Sequence, residues 1–556
     1  MSWNKRMRND MLSPTKTLHA ATHESKRLRL ISKLPRNIGG TVLCVVAFAV
    51  SDVRPLREEM ERRRISHAAD TPRAVKQELG QYFTPGHIAD FMAALFPKED
   101  RQEIKILDPG AGIGILSCAL SERIIAEKWH VDKVRVDAYE IDGNLVGELR
   151  SNLEKALDCI GGEANVISGD FLTSIATERQ NGVLPRYTHV IMNPPYKKIR
   201  AKSKERKAAR AFGLETVNLY TAFMGAAIVA TVDGGHIVAI VPRSFCNGTY
   251  YKPFRQFMLD RCSIERIHLF ESRNTAFKDE SVLQENVIVL LRKNSPQGKV
   301  VVSHSTDGSF QNVKMQTYPF DAIVSCEDSE HYINIPYGDE KIADSGFDAF
   351  HTTLGGLGLH VSTGAVVDFR TKDSLCKDIE PDCAPLLYPV HFRNNRVCWP
   401  VDSKKPNALK LSKATEKIVS PSGYYVAVKR FSAKEEDRRI VASLIVPSDF
   451  ALPKIAFENH LNVFMQDKHG LDKDIAYGLI VWLNTTWIDE KFRLFSGHTQ
   501  VNATDLRNLP YPPAEQLKSM GRQLRLIKHE WAQEIFDNIA KEVANENRQS
   551  SRKKNR

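Results

Sequence analysis

The strand-like run at residues 189–192 leads directly into Asn193-Pro194-Pro195-Tyr196, whose residue types suit one task. Two consecutive prolines stiffen the backbone and remove its donors, so the local carbonyls only accept hydrogen bonds. The Asn193 amide oxygen and the Pro194 carbonyl can together take both protons of a planar NH2 group. That arrangement draws the nitrogen towards tetrahedral geometry and frees its lone pair for attack. Tyr196 offers a flat face for an aromatic ring. No strong general base stands close in sequence. None is needed when the electrophile is already activated and positioning supplies most of the acceleration.

A second group of residues precedes this motif. The apolar run 104–107 is followed by Asp108-Pro109-Gly110-Ala111-Gly112-Ile113-Gly114, and then by a helical pattern. Glycines allow a sharp turn and a close backbone approach to a ligand. Several kinds of nucleotide binder share such loops, and the neighbouring residues narrow the choice. A P-loop would end in Gly-Lys-Ser/Thr, but Ile115 follows Gly114. A dinucleotide would set its pyrophosphate against Asp108. A cationic ligand bearing an ammonium and a sulfonium suits that carboxylate better. One strand later, Glu140-Ile141-Asp142 places an acid where ribose hydroxyls are accepted in nucleotide-binding sheets. In Gly169-Asp170-Phe171-Leu172, Asp170 can accept from an adenine amine while Phe171 or Ile141 packs on the ring.

Taken in order, Gly80-Gln81-Tyr82-Phe83-Thr84-Pro85, the glycine loop and Asn193-Pro194-Pro195-Tyr196 resemble the gamma-class N6-adenine DNA methyltransferases of restriction-modification systems. The resemblance spans about residues 79–291. It implies S-adenosyl-L-methionine as cofactor, with Phe83, Thr84 and Pro85 over its methionine part and Asp108, Gly110 and Gly112 in the first motif. It further implies Glu140 on the ribose, Asp170 on the adenine, and Ile141 and Phe171 as apolar contacts. The target adenine would be swung out of double-stranded DNA and stacked on an aromatic residue, with Tyr251 the match and Phe245 and Tyr250 its rivals. A helix beginning at Asn218 would wall the cofactor pocket. A separately encoded restriction endonuclease is the expected functional companion, and a monomer or weak dimer in the cytoplasm the expected state.

Residues 197–210 hold eight Lys/Arg in fourteen positions. Leaving the catalytic motif as it does, this run is expected to hold phosphates beside the flipped nucleotide and to order on binding, beginning with Lys197 and Lys198. The formal charge of +11 permits a polyanionic partner. Methyltransferases acting on protein glutamine share Asn-Pro-Pro-Tyr but are compact, and RNA enzymes usually carry an RNA module. A fused restriction-modification enzyme would need a nuclease core with Pro-Asp and Glu-x-Lys, which is not evident. The long stretch after Tyr337 favours DNA. Arg393, Asn394, Asn395, Arg396, Lys429, Arg430, Asn459, His460 and Asn462 within it are of types that read base edges. His360-Val361-Ser362-Thr363-Gly364 and Ser496-Gly497-His498-Thr499-Gln500-Val501-Asn502 resemble the borders of target-recognition domains.

The elements that must position these groups follow from hydropathy. Apolar runs at 104–107, 134–139, 165–168, 189–192 and 236–241 alternate with helical stretches, which implies a mostly parallel twisted sheet. Two more, at 264–269 and 287–291, are close enough to pair antiparallel at its edge. The fold class expected is α/β, a Rossmann-like methyltransferase domain at 51–337, followed by an α+β target-recognition domain at 338–513. A basic extension (1–50) precedes them and a helix with a basic, disordered tail (514–556) follows. The longest apolar run, 41–50, is too short to span a bilayer, so no membrane association is expected. The nine cysteines are scattered without a CxxC pair, and no metal is expected.

Overall fold

The computed structural model describes residues 54–554 except 73–79, 81, 159, 271–284, 307–309, 311, 327, 337–349, 351, 433–435, 451, 468 and 496–499. The 1–50 extension, Gln81 and residues 496–499 of the late border motif therefore lie outside the described residues.

Nine strands form one sheet: β1 (Arg101–Pro109), β2 (Val131–Glu140), β3 (Glu163–Ser168), β4 (Tyr187–Met192), β5 (Thr231–Pro242), β6 (Cys262–Phe270), β7 (Asn286–Lys293), β8 (Lys299–Ser305) and β9 (Lys314–Pro319). Their order is β3-β2-β1-β4-β5-β7-β6-β8-β9. β1 to β5 run parallel, and β7 lies antiparallel between β5 and β6. Alternation along the strands feeds two cores. Ile104, Ile106, Val238 and Ile240 face the helices Gly86–Ala94, Ile115–Ala126 and Gly143–Asp158. Leu107, Ile237, Ala239 and Val241 face Phe171–Gln180, Leu219–Ala230 and Lys252–Leu259. Burial on both faces explains why the central strands read as unbroken apolar runs.

The antiparallel pair expected at the sheet edge is present as β6 and β7, but it is internal. β7 inserts between β5 and β6, and β8 and β9 extend the sheet beyond them. These last two strands are half polar and β9 is mostly exposed, so they carry little hydropathy signal.

Beyond residue 350 the chain forms a six-stranded and a five-stranded sheet. Their strands are only two to five residues long, too short to show a period. The boundary expected at 513/514 cuts through one core. Leu517, Met520, Leu524, Phe536 and Ile539 from helices Ala514–Leu526 and Gln533–Lys554 pack with Trp482, Val426 and Phe464. The second of these helices runs on to Lys554 where a disordered end was expected, and no proline or glycine interrupts it. Among the described residues no helix is long and apolar enough to cross a membrane.

Candidate active site

The carboxyl ends of β1 to β4 surround a cavity of about 550 Å3. Strand ends are where a doubly wound sheet leaves room for ligands. After β1 the chain turns through Gly110 and Gly112, with φ of 75° and 59°. The Gly110 and Ala111 amides both donate to the Tyr139 carbonyl at 2.9 Å, tying this turn to the end of β2. A Cβ at Gly112 would lie 3.2 Å from Phe83 Cε1, so glycine is needed for both the backbone angle and the close approach.

Glu140 is buried at the end of β2. Its two oxygens accept from the Gly112 amide at 2.7 Å and the Asp142 amide at 2.8 Å. The residue lines the cavity, and its carboxylate has capacity for a further donor. Burial pushes its carboxyl above the ordinary range, against the pull of those amides. Asp170 also lines the cavity. It caps the helix Phe171–Gln180 by accepting from the Thr173 amide at 3.0 Å, and it pairs with Lys204 at 2.9 Å. Burial opposes its charge, but the Thr173 amide and Lys204 prevail and hold it below the usual range.

Asp108 sits elsewhere than on the cavity wall. It is wholly buried beneath the glycine turn, where Ser117 Oγ donates to Oδ2. Its Oδ1 has no hydrogen-bond partner among the described residues. Burial pushes this carboxyl up to about 7, with the Ser117 hydrogen bond opposing.

The Asn193 amide at the end of β4 is oriented by a clamp. Its Nδ2 donates to the Tyr82 carbonyl at 3.0 Å and to Thr84 Oγ1 at 3.1 Å. Both amide hydrogens are thereby used on acceptors, which leaves Oδ1 to accept. The Tyr196 hydroxyl reaches Oδ1 at 2.9 Å and the Ile240 carbonyl at 3.2 Å. Burial raises the Tyr196 phenol well above its ordinary range, so it remains a donor. Gly80, with φ of 67°, leaves room for this loop: a Cβ there would lie 3.2 Å from both Pro195 Cβ and the Tyr196 nitrogen.

Of the residues singled out from sequence, Phe83, Thr84, Gly110, Gly112, Glu140, Ile141, Asp170, Phe171, Asn193, Pro195, Lys197 and Lys198 line one cavity. Pro85, Asp108, Pro194, Tyr196 and Tyr251 do not. Tyr196 instead packs 5.9 Å from Tyr82 and edge-on to Tyr220, and Tyr251 stands behind Tyr220 at 5.7 Å. Phe245 is buried against Phe254, while Tyr250 is 76% exposed. Phe223, from the helix that Asn218 caps, completes the cavity wall.

The basic run after the motif is built differently from the mobile loop expected. Residues Lys204–Ala211 are helical, capped by Ser203, and Arg206 and Arg210 both pair with Glu215. The Leu219 amide donates to the Lys197 carbonyl at 2.7 Å and pins the start of the run. Two features escaped the sequence reading. One is the clamp on Asn193, whose partners lie more than a hundred positions away. The other is Arg255, buried and donating to the Phe245, Gly248 and Glu330 carbonyls at 3.0, 2.7 and 3.0 Å. It braces the loop that carries Tyr250 and Tyr251, and nothing in its local sequence signals that role.

Residues 147–277 match the family described as Eco57I restriction-modification methylase. A type II methyltransferase of Bacillus subtilis, M.BsuBI, is 44% identical over 475 residues, covering 84% of this chain and 92% of its own. M.PstI of Providencia stuartii, another type II methyltransferase, is 39% identical over 459 residues, covering 81% and 90%. Among solved structures, the cryo-EM structure of a DrdV–DNA complex is similar in fold, with TM-score 0.50 and 14% identity over 86% of this chain and 60% of that one. Extending over nearly the full length of both bacterial enzymes, this likeness joins the cavity and the oriented asparagine in one conclusion: the chain belongs to the type II restriction-modification DNA methyltransferases.

Proposed function

We propose that the enzyme methylates the exocyclic N6 of adenine within a short specific sequence of double-stranded DNA, with S-adenosyl-L-methionine held in the cavity between β1 and β4. The observation that carries this reading is the Asn193 amide on the cavity wall, its Nδ2 held by Tyr82 and Thr84 so that its oxygen is left as an acceptor.

The cavity's own groups fit such a cofactor. Glu140 and Asp170 are acceptors suited to ribose hydroxyls and an exocyclic amine, and Ile141, Phe171 and Phe223 supply apolar surface. Phe83 and Thr84 close over the glycine turn, and Asp108 beneath it keeps an unsatisfied carboxylate oxygen towards which an ammonium is attracted. When bound, the cofactor supplies a methyl group already activated by its sulfonium.

Everything else falls to the protein. Asn193 Oδ1 and the Pro194 carbonyl accept the two protons of the adenine amine, so that its lone pair is freed and aimed. The Tyr196 hydroxyl, donating to Asn193 Oδ1, polarises that oxygen and fixes its direction. As the nitrogen forms its new bond it becomes positively charged, its protons grow more acidic, and both acceptors bind them more tightly; one proton is then lost to solvent, leaving the neutral methylated amine. That gain belongs to the transition state and not to the ground state. An adenine inside a duplex cannot reach this point, so the nucleotide is extruded; Tyr251 is the proposed flanking aromatic, and Lys197 and Lys198 the proposed phosphate contacts. The sheets after residue 350 are the proposed sequence reader, and a separate endonuclease the proposed companion.

The test is digestion of DNA from cells expressing the protein, followed by mass spectrometry of the nucleosides. N6-methyladenine is expected with wild type and absent with Asn193→Ala. Methylcytosine in its place, or an unmodified genome with active wild type, overturns the assignment.

A further inference from the structure

At the opposite end of the sheet from the cavity, two buried imidazoles converge on one carboxylate. His189, the third residue of β4, lies beside His236 of β5, its direct register partner, and Glu99 precedes β1. His189 Nε2 lies 3.9 Å from Glu99 Oε2, and His236 Nδ1 lies 3.0 Å from Glu99 Oε1. His236 Nδ1 is thus within hydrogen-bonding distance of the carboxylate, while His189 Nε2 has no hydrogen-bond partner among the described residues; the two histidines are 2% and 0% exposed.

Thr188 Oγ1 accepts from the Lys105 amide at 2.9 Å and lies 3.2 Å from the Lys105 carbonyl and 2.9 Å from His189 Nδ1. With the Thr188 proton on that carbonyl, the His189 proton sits on Nδ1 and Nε2 turns a lone pair towards the Glu99 carboxylate. A cation between that nitrogen and the carboxylate satisfies both.

We propose that Glu99, His189 and His236 form a structural site for a divalent transition-metal ion of the zinc type. Their ligand atoms all lie within 4.8 Å of one another. Zinc–ligand distances of about 2.0–2.2 Å require side-chain shifts of roughly an ångström to close the site. Two imidazoles and one carboxylate select zinc-like ions over magnesium. The surroundings match an outer coordination shell, in which ligating groups are oriented by a second set of partners. Thr188 fixes His189, Arg101 contacts the Glu99 carboxylate, and Glu265 lies 3.7 Å from His236 Nε2, ready to take its proton when Nδ1 binds metal. Phe96 and Trp129 pack on the His189 ring at 5.2 and 6.0 Å and wall the space from water. The ion would staple the entry to β1 onto β4 and β5, far from the reacting atoms.

Untagged full-length protein, stripped with chelator and mixed with zinc chloride, should retain one zinc per chain after gel filtration and melt at higher temperature. Magnesium chloride should do neither. Glu99→Gln and His236→Gln should each weaken zinc binding at least tenfold while keeping the circular dichroism of the parent. No zinc on wild type, or zinc persisting in both variants (held then by groups such as Cys376, Glu380 and Cys383), overturns the proposal. Should a variant misfold, cobalt(II) added to wild type decides. Intense visible d–d bands of a four-coordinate ion support the site, and the weak spectrum of the hydrated ion refutes it.

Discussion

Thr84 is the most direct handle on how the Asn193 amide is held. It is 7% exposed, and its hydroxyl accepts one of the two Asn193 Nδ2 hydrogens at 3.1 Å. Thr84→Val keeps the shape and removes the acceptor, leaving that N–H against a methyl group where water has poor access. A buried donor left without a partner costs about 1–3 kcal/mol. The amide escapes the cost by rotating, which turns its NH2 group towards the substrate amine and replaces an acceptor by a donor. On the proposed role of Asn193 Oδ1, the loss in either case falls in the transition state. At about 1.4 kcal/mol per factor of ten, kcat should drop by roughly 5- to 150-fold. Affinity for S-adenosyl-L-methionine should change by less than about threefold, because the variant adds no charge and little volume to the cavity.

Single-turnover methylation of a duplex oligonucleotide gives the rate, and calorimetric titration gives the cofactor affinity. Thr84→Ser restores the hydroxyl and should recover kcat to within about twofold of wild type. A Thr84→Val enzyme with full kcat would show that the clamp is incidental. Equal damage from serine and valine would show that the lost methyl or hydroxyl packing, and not the hydrogen bond, matters at this position.

Asp108→Asn tests the buried carboxylate. Its folded-state pKa of about 7 lies above the ordinary value, so between the two the folded protein binds more protons than the unfolded chain, and stability falls as pH rises. Without cofactor, the variant should therefore be more stable than wild type at pH 8, by at most about 4 kcal/mol, with the gap narrowing through about pH 5 and closing only below about pH 4; a gap independent of pH contradicts the reasoning. Gly112→Ala forces a side chain into the left-handed region and against Phe83, costing about 1–2 kcal/mol. Cofactor affinity measured by titration should fall by roughly 5- to 30-fold, and an unchanged value rejects the close-approach role. Lys204 pairs with Asp170 from an exposed position, and that contact competes with the adenine amine of the cofactor for the carboxylate in the proposed site. Lys204→Ala should tighten cofactor binding by up to about fivefold, as a surface ion pair of at most about 1 kcal/mol is removed; weaker binding would mean that Lys204 itself holds the cofactor.

What the sequence disclosed and what it hid divide along physical lines. Central strands such as β4 and β5 are covered on both faces, so each appears as an apolar run, and the chemistry-bearing residues fall at their ends. Asn193, Glu140 and Asp170 could be placed that way before any coordinates. The outer strands β8 and β9 are half polar, and the short strands after residue 350 hold too few residues for a period to emerge, so tertiary packing alone defines them. At residues 197–210 composition showed the charge but not its partners: Glu215 lies within reach of two of the arginines and Asp170 within reach of a lysine.

The features that govern reactivity were hidden for a different reason. An asparagine reads the same whichever way its amide faces, and here the direction is set by a carbonyl and a hydroxyl on the segment before β1. Asp108 likewise reads as a ligand-facing acid at a strand tip, but the turn that follows β1 folds over it and moves it from the cavity wall to the layer beneath. Sequence names the group at each strand end; only the packing of neighbouring segments decides which of its atoms faces a ligand. For this enzyme the consequence is specific. Substitutions at Tyr82, Thr84 or Gly80, none of which has reactive chemistry of its own, should act on catalysis through the direction of one amide oxygen, and Thr84→Val is the variant that isolates that effect.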